Sequence, residues 1–261
     1  MSIGRAVWSR ARFAVRIAAR DPALLLDYVR WLSEGRRASQ PPRRSPHPDA
    51  LSFEAAVRAI GDRLGPCDPG PAYHELRAWQ VAEDAYHGGG SRMGGDSALG
   101  EIVYRVVRAT RPQTVVETGV ATGVTSAYAL AALADNGEGE LHSIDLPPTD
   151  MLERGTVGAA VPPDLKERWT YHWGSARRLL PRVLEDTAGC NVFIHDSDHS
   201  YDQLTWEVRT AWGSLAPGGV VVCDDVDYHT GFVDVASEVG GDYVLVRQAE
   251  KAGTTGLLLS S

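Results

Sequence analysis

The sequence predicts a doubly wound α/β fold: a mostly parallel, seven-stranded sheet with helices on both faces, preceded by an N-terminal helical arm. Three observations carry that expectation. Short apolar strands alternate with helical stretches from Ser97 onward, small residues follow the first of those strands, and acids follow several others. Ligands of open parallel sheets bind beyond the carboxyl ends of the strands, so the residues just past each strand are the ones to read for function.

Taken in order, a helix is expected over 97–109, a strand over Thr114–Glu117, a helix over about 123–134 and a strand over Glu140–Asp145. Further strands are expected at Trp169–His172, Asn191–His195, Gly219–Asp224, Asp242–Arg247 and Gly256–Ser260. Upstream, residues 51–64 and 72–85 have helical character, parted by Gly65-Pro-Cys-Asp-Pro-Gly-Pro, and the glycine-rich run 88–95 reads as a mobile segment that could cover substrate. Residues 3–32 carry apolar positions among arginines and read as two short helices, the second started by Asp21-Pro22. The proline-rich stretch from Ser39 to Pro48 reads as a linker. The expected organisation is a basic arm and linker over 1–50, a helical cap and glycine-rich lid over 51–96, and the sheet domain over 97–261.

The composition, 43% hydrophobic and 23% charged over 261 residues, is that of a soluble globular protein. No apolar run approaches the ~20 residues needed to cross a bilayer. The N-terminus lacks the long apolar region and cleavage site of a signal peptide. Cys67, Cys190 and Cys223 lie too far apart for a disulfide framework or a Cys-x-x-Cys zinc site, which points to a reducing, cytoplasmic setting. The net charge of −8 is uneven: residues 1–50 hold ten arginines against four acids, or +6, leaving −14 for the remainder. An acidic body argues against a nucleic-acid partner, while the basic arm could touch an anionic membrane surface or pack in an ordinary way. A homo-oligomer is expected.

Four strand ends carry the chemistry. After the first strand, Glu117, Gly119, Ala121 and Gly123 fall at every second position and Ser126 follows, so the backbone can approach a ligand closely where a helix begins. The second strand ends on Asp145, a carboxylate placed to accept from the hydroxyls of a ribose. A glycine turn plus an acid suits any adenine nucleoside cofactor, NAD included. The turn that binds NAD usually runs Gly-x-Gly-x-x-Gly, however, and Glu117 would repel a pyrophosphate. The other two ends are His195-Asp196-Ser197-Asp198-His199-Ser200-Tyr201 and Leu215-Ala-Pro217-Gly218-Gly219 running on to Asp224-Asp225. Carboxylates gathered at one sheet edge repel one another unless a cation joins them, and a hard divalent ion with oxygen ligands, such as Mg²⁺, would suit. Asp224-Asp225 could also cap a helix, and His195 could be a buried hydrogen-bonded residue or one that orients a ligand.

These motifs resemble the class I S-adenosylmethionine-dependent methyltransferases, whose first motif runs Glu/Asp-x-Gly-x-Gly-x-Gly; Ala121 stands where that family more often has glycine. The resemblance covers roughly residues 97–260. It implies that Glu117, Gly119, Gly123, Ser126 and Asp145 line the cofactor site, with Gly174 and Ser175 approaching the adenine. The later pair of motifs is similar to those of metal-dependent sugar O-methyltransferases of antibiotic biosynthesis. That likeness implies Asp196, Asp224 and Asp225 as metal ligands, with Asp196 also at the cofactor, and His199 or Asp198 as general base. The implied reaction is Mg²⁺-assisted O-methylation of a hydroxyl on a sugar or other small polar metabolite. Metal-independent O- or N-methylation and a non-catalytic nucleotide-binding module are the competing functions.

Overall fold

In a computed structural model, residues 21–35, 47–86, 97–248 and 253–261 are described. The expected first arm helix, most of the linker and the glycine-rich run 88–95 lie outside them. The helix expected to start at Asp21-Pro22 is α1 (Pro22–Gly35), with the Ala23 N–H donating to the Asp21 carboxylate at 2.9 Å. Two helices follow, α2 (Phe53–Leu64) and α3 (Pro71–Tyr86). The sheet domain then runs α4 (Ser97–Thr110), β1 (Thr114–Thr118), α5 (Val124–Asn136), β2 (Glu140–Asp145), α6 (Thr149–Arg154) and β3 (Trp169–Trp173). It continues with α7 (Ala176–Asp186), β4 (Cys190–His195), α8 (Tyr201–Trp212), β5 (Leu215–Cys223), α9 (Gly231–Val239), β6 (Asp242–Arg247) and β7 (Thr254–Leu259).

The seven strands order as β3-β2-β1-β4-β5-β7-β6, all parallel except β7, which runs antiparallel to both neighbours. The strand order runs outward in opposite directions from β1 and from β4, which makes the gap between them a topological switch point, where open α/β sheets bind ligands. The register brings the loaded ends level: Glu117 lies beside Ser143, Thr118 beside His195, and His195 beside Cys223. Asp145 and Asp224 follow directly at the ends of their strands. No described helix is long and apolar enough to cross a membrane.

Each face of the sheet buries its own core. Val115, Val192, Ile194, Val220 and Val222 pack under α2–α5, while Val116, Phe193, Val221 and Cys223 pack under α7–α9. This alternation is the period of a strand with both faces covered. Helices α2 and α3, expected within a cap, pack into the first of these cores through Ala56, Ile60 and Leu76. Helix α2 begins at Phe53, two residues later than the expected start, because Ser52 caps it and Leu51 forms a parallel bridge with Val246 of β6. Asp135 at the end of α5 accepts from the Ala72 and Tyr73 N–H groups at 2.8 and 3.1 Å, so α3 takes its N-terminal cap from another helix. Tyr104 of α4 completes the joint by donating to Asp135 at 2.7 Å.

Candidate functional site

The turn after β1 is built by close backbone approach. A Cβ on Gly119 would stand 2.0 Å from the Asp196 carbonyl oxygen, and Gly119 has φ 83°. The chain after β1 thus crosses the chain after β4 where only glycine fits. Ala121, the departure from the family pattern, also has positive φ (48°), a left-handed conformation that costs a non-glycine residue about 1 kcal/mol. Its carbonyl accepts from Gly158 N–H at 3.0 Å, and the Thr122 carbonyl from Ala160 N–H at 2.7 Å, so the segment after α6 braces the turn.

Glu117 is fully buried, and its Oε2 accepts from the Ser126 and Ser143 hydroxyls, each at 2.6 Å. Its Oε1 is buried with no hydrogen-bond partner among the described residues. Burial pushes this carboxyl up from the ordinary 4.5 to about 7, against the opposing pull of the two serines. At the neighbouring strand end Asp145 is pushed up to about 6, again by burial, although the N–H groups of Ala121, Val120 and Leu146 favour its charged form. Its Oδ2 is likewise buried without a partner. Two carboxylate oxygens at adjacent strand ends are therefore buried without a partner, and each could accept from a ligand hydroxyl or meet a positive charge.

The raised Glu117 value has a stability consequence. Below about pH 4.5 the folded and unfolded chains both hold the proton, and the neutral carboxyl contributes its full stability. That contribution is lost as the pH rises through about 7, because the unfolded chain releases the proton first. Wild type should therefore lose thermal stability relative to Glu117→Gln between pH 5 and 8. A melting-temperature difference that stays constant over that range would contradict the assignment.

Gly174 and Ser175 follow β3, as the sequence places them. Ser175 gives both its N–H and its hydroxyl to Asp27 of α1, at 3.1 and 2.8 Å. The expected adenine edge is thus in contact with the N-terminal arm.

Beyond β4 and β5, Asp196, His199 and Asp224 each offer one donor atom, and these atoms lie within 4.8 Å of one another. A divalent ion with ligands at roughly 2.0–2.4 Å spans up to about 4.8 Å between opposed donors, so this set fits one cation. Asp224 is held by Gln248, whose Nε2 donates to its Oδ1 at 2.5 Å and to Thr255 at 2.9 Å. Asp196 accepts from the Thr125 hydroxyl at 3.0 Å. Asp225, in a left-handed conformation, falls outside the grouping and brings its Oδ2 to 4.0 Å from His199 Nε2. Asp198 is exposed and accepts from the Ser200 N–H at 3.0 Å. His229 accepts the Gly231 N–H on Nδ1, which leaves Nε2 to donate to the His199 carbonyl at 3.0 Å and fix that loop.

Beneath the cluster lies a buried pair the sequence did not reveal. His195 Nδ1 stands 2.6 Å from Glu207 Oε2, and neither side chain is exposed. Glu207 also accepts from Thr118 (2.5 Å), Ser197 (2.9 Å) and Gln203 (2.6 Å). Burial would raise this carboxyl, but the facing imidazole and the hydrogen bonds outweigh it and hold Glu207 below its ordinary value. One signal was present: Glu207 shares the buried helical face of Leu204, Val208 and Ala211, where a charge requires a partner. Gln248 gave no such signal.

Residues 116–226 match the family described as a methyltransferase domain. No curated protein matches the chain. Among solved structures, it is similar to the O-methyltransferase TomG from Streptomyces achromogenes, involved in tomaymycin synthesis and solved in complex with SAM. That likeness has 17% identity and a TM-score of 0.50, covering 79% of this chain and 96% of that one. An O-methyltransferase from Bacillus cereus in complex with SAH gives 14% identity and a TM-score of 0.52, covering 80% and 100% of the two chains. The SAH-bound methyltransferase PaMTH1 from Podospora anserina gives 14% identity and a TM-score of 0.50, covering 83% and 98%. At such identities these likenesses establish the fold.

Proposed function

We propose that the protein uses S-adenosylmethionine to O-methylate a small hydroxylated acceptor at a metal-bearing site; the match of residues 116–226 to a methyltransferase domain and the fold shared with O-methyltransferases support this reading. The observation that carries this reading is the joint placement, along one sheet edge, of two buried, unpartnered carboxylate oxygens at the ends of β1 and β2 and a cation-sized donor set after β4 and β5. The SAM- and SAH-bound structures of the same fold support the choice of cofactor. When bound, that cofactor supplies a methyl group on a sulfonium, open to attack from the opposite side.

The chain's own residues divide the work. Asp145 Oδ2 would accept from the ribose hydroxyls, and Glu117 Oε1 would meet the positive charge of the cofactor's methionine portion. Gly119 and Gly123 would let the backbone close on the methionine portion, and Ser126 holds Glu117 in place. Asp196, His199 and Asp224 would hold a divalent cation, which would lower the pKa of an acceptor hydroxyl. Two carboxylates and an imidazole suit Mn²⁺ or Fe²⁺ at least as well as the Mg²⁺ expected from carboxylates alone. His199 would then serve as a ligand in place of Asp225, the metal would acidify the acceptor hydroxyl, and its proton would pass to Asp198, the other candidate base, or to solvent. A sugar or similar polar metabolite remains the acceptor class proposed.

Titration with Mn²⁺ followed by electron paramagnetic resonance tests the metal part without an acceptor. One tight site is expected in wild type, weakened at least about tenfold in His199→Gln and in Asp224→Asn, because each loses a direct ligand. Binding unchanged in both variants would overturn the ligand set. Turnover that survives rigorous chelation would remove the metal from the reaction.

A further inference from the structure

We infer that α1 is a structural wall of the cofactor site, with the adjacent residues Asp27 and Tyr28 clamping the two loops that flank the adenine. The inference rests on reading the strand ends as an S-adenosylmethionine site. Tyr28 donates its hydroxyl to the Pro147 carbonyl at 2.7 Å, fixing the loop that follows Asp145 and β2. Asp27 accepts from the N–H and hydroxyl of Ser175, fixing the loop that follows β3. Trp173, the last residue of β3, donates its indole N–H to the Tyr28 oxygen at 3.4 Å and joins the two holds. The loops are also laced to each other, since the Gly174 N–H donates to the Asp145 carbonyl at 2.9 Å. The spacing between ribose acid and adenine loop is therefore set from outside by a single turn of α1.

The contact is built as a permanent one. Asp27 is 4% exposed, and Arg178 of α7 meets its Oδ2 with Nε at 2.8 Å and with a terminal guanidinium nitrogen at 2.7 Å, so the buried carboxylate is compensated. Leu24 and Tyr28 are buried among Leu25, Leu146, Leu152 and Trp173. Leu26 and Val29 face away, at 63% and 55% exposure. A Cβ on Gly174 would lie 3.1 Å from Asp27 Oδ2, so α1 stands directly over the loop. Helix α1 of the arm thus belongs to the cofactor site, where the sequence alone suggested a separate appendage.

Calorimetric titration of the full chain with S-adenosylhomocysteine tests this, comparing wild type with Asp27→Asn, Tyr28→Phe and the outward-facing control Leu26→Ser. Asp27→Asn should weaken binding about tenfold or more, and Tyr28→Phe about threefold to tenfold, from loss of one buried hydrogen bond. Leu26→Ser should match wild type. Discrimination against S-inosylhomocysteine, which differs only in the base, should fall in both clamp variants, a change that general destabilisation does not produce. If Asp27→Asn fails to fold, Tyr28→Phe, which removes one oxygen, decides. Wild-type binding with unchanged affinity and discrimination in the clamp variants would overturn the inference alone. Tighter binding by Asp27→Asn would overturn it by showing that α1 competes with the cofactor. No binding by wild type would overturn the cofactor reading and the inference together.

Discussion

Replacing Glu207 with alanine is expected to destabilise the fold by about 3–5 kcal/mol, the usual result of removing one partner from a buried charged pair. Four donors converge on this carboxylate, from Thr118, His195, Ser197 and Gln203. Alanine would leave all of them without this acceptor, Thr118 and His195 where no water reaches. It would also open a cavity under α8, between the core residues Leu204 and Val208. Glu207→Gln keeps the volume and one oxygen, so it should lose less. Its amide would face a donor and set the His195 ring at odds with its present orientation. Because Glu207 is held below its ordinary value, its contribution persists through neutral pH and is lost as the pH falls through that lowered value. Urea unfolding at pH 7 measures the effect, and an alanine variant within 1 kcal/mol of wild type would show that the pair is dispensable.

The second large effect is expected at Asp145. Its replacement by alanine should weaken S-adenosylhomocysteine binding by about 100-fold, since two hydroxyl-to-carboxylate hydrogen bonds contribute roughly 1.5 kcal/mol each. The Val120 and Ala121 N–H groups also lose their acceptor, so the turn after β1 should loosen. Asp145→Asn retains an acceptor oxygen and should fall between the two. Equilibrium binding followed by calorimetry reads all three, and equal affinities would place the ribose elsewhere.

The fold was legible because its periodicities are local. Val115, Val116 and Glu117 could be read as strand from their neighbours alone, and so could each of the six strands that follow. What neighbours could not supply was partner geometry. Leu51 joins β6 through residues nearly two hundred positions away, and Asp135 caps α3 across sixty. At the site, Asp145, Asp196 and Asp224 were readable because acids at strand ends project to one edge. That His199 groups with Asp196 and Asp224, with Asp225 in a left-handed conformation beside it, carries no sequence mark. Glu207 and Gln248 act through contacts made only after the sheet assembles. The arm helix was predicted, but its docking rests on Asp27 meeting Ser175 and Arg178 over about 150 residues.

The most direct test of the central claim, that the carboxyl ends of β1 and β2 form an S-adenosylmethionine site, is calorimetric titration of the full chain with S-adenosylhomocysteine and, separately, with NAD. Saturable binding of S-adenosylhomocysteine at one site per chain, with NAD far weaker, is the predicted result. Preferential binding of NAD would contradict it.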